Sequence, residues 1–70
     1  MDKATFEMVL TAYDETAREA LSRGLSPDVA NKEGNTAAAM FLASFNGADD
    51  AAAKVEIEEL NLKAHVKIFH

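Results

Sequence analysis

The sequence predicts an all-α fold, a small three-helix bundle, and three observations predict it. Apolar residues recur at three- and four-residue spacing along most of the chain. Alanine, the strongest helix former, supplies 14 of the 70 residues. Residues suited to helix ends bracket each stretch. The helices are expected near 4–23, 27–46 and 49–67, within one domain covering 1–70.

In the first stretch, Phe6, Val9, Leu10, Tyr13, Ala17, Ala20 and Leu21 form one apolar stripe. The opposite face is charged, with Asp14–Arg18 and Glu19–Arg23 as acid-before-base pairs at i,i+4. Gly24 suits a left-handed position just past the helix end, and Leu25 follows where a Schellman contact falls.

Ser26-Pro27-Asp28 reads as a new start: a capping hydroxyl, a proline whose missing N–H would be unpaired there, and an acid at the positive end of the dipole. Gly34 weakens the next turns by about 1 kcal/mol relative to alanine. Either the helix runs through it, or a fresh helix begins at a cap formed by Asn35 or Thr36. Phe41, Leu42 and Phe45 crowd one side, and Asn46-Gly47 ends the element.

Asp49 and Asp50 open the third stretch. Its register is ambiguous near the end. Leu60, Leu62, Ala64, Val66 and Ile68 alternate with polar residues as in a strand, yet Ala53, Ile57, Leu60, Ala64 and Ile68 also share a helical face. No turn signal interrupts residues 50–70, which favours a continuous helix; the alternative makes the last ten residues a β-strand.

Leu21, Gly24, Pro27-Asp28-Val29, Asn31 and Gly34-Asn35-Thr36-Ala37 together resemble the junction between ankyrin repeats, a helix end, a turn and a Gly-x-Thr helix start. The resemblance covers only this junction and implies a protein-binding role. The chain departs from that family in the single long stretch Phe6–Arg23, in the start of the Ala37–Phe45 helix, and in having no second copy at a period of about 33 residues.

Composition bounds the function. There is no Cys, so disulfide staples and most structural zinc sites are excluded. Twelve acids against seven bases give a net charge of -5, unsuited to direct nucleic-acid binding through phosphates. No run of about 20 apolar residues suggests a membrane span, and the first residues carry no apolar signal core, so a cytoplasmic location is expected. A hydrophobic fraction of 49% argues against disorder.

No catalytic, cofactor-binding or metal-ligating set emerges. His65 and His70 stand five apart, which separates them around a helix. The acids Asp49, Asp50, Glu56, Glu58 and Glu59 point several ways and read as a solvated face. Ser22, Ser26 and Ser44 lack triad partners, and Gly24, Gly34 and Gly47 form no phosphate loop. Met40-Phe41-Leu42 with Phe45 reads as core, with a partner groove as the alternative.

Large apolar side chains nonetheless run the whole length of the chain, more than one small core easily encloses. A homodimer is therefore expected, with Ile57, Leu60, Leu62, Val66 and Phe69 at its interface; the alternative is a compact monomer packed closely through alanine. The functional expectation is a small, acidic, non-enzymatic protein-interaction module or adaptor that binds another protein. The alternative is an acidic modulator or decoy of a nucleic-acid-binding protein.

Overall fold

The structure is a computed structural model that describes residues 1–47 and 49–69. Helix α1 spans Lys3–Ser22, α2 Pro27–Asn46 and α3 Asp50–Leu60, and a 3-10 turn follows at Leu62–His65. The all-α reading holds, with no strand among the described residues.

The ends of the helices are built from the residues that mark them. Asp2 caps α1 by accepting the Thr5 N–H at 2.8 Å. Beyond Ser22, Gly24 takes φ +87°. Its N–H reaches the Leu21 carbonyl at 3.0 Å, and the Leu25 N–H reaches that of Ala20 at 3.1 Å. That pair of bonds is the Schellman motif. Ser26 then caps α2 through the Val29 N–H, with Pro27 in the first turn, and Gly47 closes it at φ +68°. Asp49 caps α3 by accepting from Ala51 and Ala52.

Helix α2 runs unbroken through Gly34, which settles the choice left open by the sequence. The glycine is where α1 and α2 come closest: a Cβ there would meet the Tyr13 ring at 2.7 Å and the Tyr13 carbonyl oxygen at 3.1 Å. Ala30, Gly34 and Ala38, one turn apart, form the small-residue edge that admits this approach. With α2 continuous, Gly34-Asn35-Thr36-Ala37 starts no helix, and the ankyrin-like reading of that junction fails there. The two helices run antiparallel, since Tyr13 meets Gly34 while Met8 lines a groove with Phe41. Tyr13 is buried, and its hydroxyl donates to the Asn31 side-chain oxygen. Burial, helped by the neighbouring Asp14 charge, pushes its phenol above the ordinary 10.0.

The third segment departs from expectation. It is helical only to Leu60, not to residue 67, because Asn61 adopts the left-handed conformation at φ 51°, ψ 59°. Asparagine reaches that region more readily than other side-chain-bearing residues, so Asn61 is the turn signal that a search for glycine and proline passes over. The chain then folds back toward α1, placing the His65 ring edge-on to Phe6 at 5.2 Å. The alternation over residues 60–68 makes no strand; Leu62 and Val66, four apart, are the buried pair, and Ala64 is exposed. His70, paired with His65 in the sequence reading, lies outside the described residues.

One charge pair also differs. Asp14–Arg18 forms within α1 at 2.8 Å, but Arg23 bonds Glu33 of α2 at 2.9 Å in place of Glu19. Arg23 sits at the helix end, where the chain turns and its guanidinium reaches across the junction.

Candidate docking face

The five residues expected at an interface fall mainly inside the protomer. Ile57, Leu62 and Val66 are 0%, 1% and 7% exposed, within the same core as Val9, Tyr13 and Leu42. Leu60 and Phe69 are half-buried and pack against that core. The segment expected to reach outward instead covers one side of the α1–α2 pair. A dimer through these five would require Ile57, Leu62 and Val66 to leave the interior.

Exposed large apolar side chains occur on all three helices, with Val29 on α2 and Val55 on α3 among them. Met40 is 64% exposed, Phe45 56% and Met8 42%. The expectation that Met40, Phe41, Leu42 and Phe45 form core holds for Leu42, which is buried. Phe41 is half-buried and stacks on Phe45, their ring centroids 6.2 Å apart and nearly parallel. An i,i+4 aromatic pair on a helix lies along one face, so the two rings form an apolar ridge.

Phe41, the inner ring of the ridge, borders an open hollow formed mainly by α1. Glu7, Met8, Thr11, Ala12 and Glu15 of α1 line it opposite Phe41, around a volume of about 390 Å³. A second groove of about 330 Å³ is lined by Thr16 of α1 with Lys32, Glu33, Thr36, Ala37 and Met40 of α2. Thr16 lies one turn beyond Ala12, and Ala37 one turn before Phe41, so the two hollows adjoin along the seam. The result is an open trough floored by small side chains and walled by Met8, Phe41 and Met40.

Charge around the trough is uneven. The first hollow has Glu7 and Glu15 on its rim and no base among its lining residues. The second carries Lys32 beside Glu33, whose carboxylate is engaged by Arg23. Glu7 stands one turn from Lys3 along α1, and Glu15 shares a further hollow with Arg18, His65 and Lys67. Eight residues of helix separate these two acids, about 12 Å along the axis.

Other chemistry is sparse. Among the described residues, no three His, Cys, Asp or Glu side chains are grouped as metal ligands, and no helix is long and apolar enough to cross a membrane. Buried side-chain nitrogen and oxygen atoms all have hydrogen-bond partners among the described residues. Sequence reasoning found Met40, Phe41 and Phe45 but placed them inside; it missed Met8, whose position off the α1 stripe beside acids was the available signal. Comparisons with protein families, curated proteins and solved structures give no match.

Proposed function

We propose that this chain is a small, non-enzymatic protein-interaction module whose docking surface is the α1–α2 trough. One observation carries the reading: Met8, Phe41, Phe45 and Met40 stay at or near the surface in a chain that buries even alanines completely. Large apolar side chains grouped at a surface mark contact sites more often than scattered ones do. Methionine adds adaptability, since its unbranched, polarisable side chain refits to different neighbours. The acidic surface supplies solubility and long-range steering.

Affinity capture from the source cells tests the proposal, using the full chain and a Met8→Ser/Phe45→Ser variant matched for thermal stability. The expected result is a protein partner retained in comparable molar amount by the parent and lost by the variant. Identical retention by both proteins contradicts the reading. So does native mass spectrometry that finds a small-molecule cofactor bound instead.

A further inference from the structure

Methionine is among the residue types most often found fully buried. In this chain every methionine lies outside the core: Met1 is 50% exposed, Met8 42% and Met40 64%. The buried hydrophobic core is built from valine, leucine, isoleucine, alanine and Tyr13, with no sulfur in it. The chain has no Cys, so these three thioethers are its whole stock of oxidisable sulfur. Two of them stand in the trough, Met8 in the first hollow beside Phe41 and Met40 in the second beside Thr16 and Ala37.

That distribution separates two consequences of oxidation. A thioether sulfur attacks the terminal oxygen of a hydroperoxide, and the S–O bond forms as the O–O bond breaks. The sulfur is oxidised by two electrons to the sulfoxide. The peroxide is reduced to water or an alcohol, which takes the proton of the transferred oxygen. The product replaces a flexible apolar side chain with a polar one, and exposed sulfurs react first. In a core that change disrupts packing, but here the core has no sulfur to oxidise. In the trough it sets a strong acceptor where an incoming apolar surface would have to bury it.

We propose that Met8 and Met40 form a reversible oxidation switch on the trough: sulfoxides there close it to an apolar partner surface while the fold stays intact. The inference rests on the interaction-module reading and adds its regulation. Reversal belongs to methionine sulfoxide reductases, which restore the thioether with electrons from a dithiol and release water.

The test treats the full chain with hydrogen peroxide, removes the excess with catalase, and maps the added oxygens by peptide mass spectrometry. Met8 and Met40 should each gain one oxygen, as should Met1, which lines neither hollow. The melting midpoint should move by less than about 4 °C, the span of a surface substitution in a domain of this size. Retention of the partner from source-cell lysate should fall about tenfold or more, as when one buried methionine contact is lost. Methionine sulfoxide reductase with dithiothreitol should restore it. Met8→Leu/Met40→Leu keeps apolar volume without sulfur and should retain the partner equally before and after peroxide.

Undiminished retention by the fully oxidised parent overturns the switch and leaves the interaction module standing. A loss shared by the Met8→Leu/Met40→Leu chain also overturns it, since neither trough sulfur is then responsible. So does a large drop in melting midpoint on oxidation, which would make the fold and not the trough the sensitive part. Failure of the untreated parent to retain any partner removes the interaction-module reading itself, and the switch with it.

Discussion

Gly34 and Tyr13 show how single residues hold α1 and α2 together. Replacing a mid-helix glycine by alanine ordinarily stabilises a helix by about 1 kcal/mol. Here the added methyl would sit 2.7 Å from a buried ring and 3.1 Å from a carbonyl oxygen, and neither can easily retreat. Overpacking of this kind costs about 1–3 kcal/mol. Gly34→Ala is therefore expected to lower stability by about 1 kcal/mol in chemical denaturation, despite its gain in propensity; a rise would contradict the close approach.

Two titrations belong to the same scale. Hydrogen bonds from Thr5, its side chain first and its backbone N–H second, hold the Asp2 carboxyl below the ordinary 3.8. A carboxyl lowered in the folded state stabilises it above the unfolded value and loses that contribution as pH falls through the folded one. Melting below pH 3.8 should thus be less pH-sensitive in Asp2→Asn than in the parent. Tyr13 has the opposite sign, because burial raises its phenol above 10.0. Its contribution is intact below 10.0 and is lost as pH rises through the folded value. Tyr13→Phe should flatten the stability curve in that alkaline window.

At the scale of elements, local chemistry was legible in the sequence where one residue type does one job. Gly24, Ser26-Pro27, Gly47 and Asp49 all end or begin helices as their types imply. The C-terminal segment was harder to read, because its apolar spacing fits two periods and its break is an asparagine. Asn61 in the left-handed region is open to a direct test. Asn61→Gly should preserve or raise stability, whereas Asn61→Ala should cost about 1–2 kcal/mol. Equal effects from the two would remove Asn61 as the stop of α3. Leu62, one residue later and almost fully buried, anchors the returning segment. Leu62→Ala is expected to cost about 2–5 kcal/mol in a denaturant titration, and a surface-like change below about 0.5 kcal/mol would contradict its burial.

At the scale of the whole molecule, the protomer closes as monomeric proteins of its mass do. Its accessible surface is 4435 Å², against about 4,300 Å² from the scaling of monomers. Its radius of gyration is 11.3 Å, against about 11 Å for a compact chain of this length. Alanine explains how so small a chain manages this: Ala17, Ala20, Ala30, Ala38 and Ala53 let the helices approach closely enough for Tyr13, Leu42, Ile57 and Leu62 to be enclosed. What the sequence could not convey is which flank of α2 is covered. That helix is apolar on several sides, and the docking of α3 and the turn after it decides that Leu42 is inside while Met40 and Phe45 are outside. Consequently Met40→Ser should change stability by less than about 0.5 kcal/mol, as surface substitutions do.

The three methionines report directly on which surface binds. Met8 and Met40 border the trough, whereas Met1 precedes α1. In a carbon-13 methyl spectrum titrated with the captured partner, Met8 and Met40 should shift saturably. Met1 should stay in place, as should the methyls of Ile57 in the core. Shifts centred on Ile57 and Leu62 would mean that the C-terminal segment leaves the interior to bind, and the account would be contradicted.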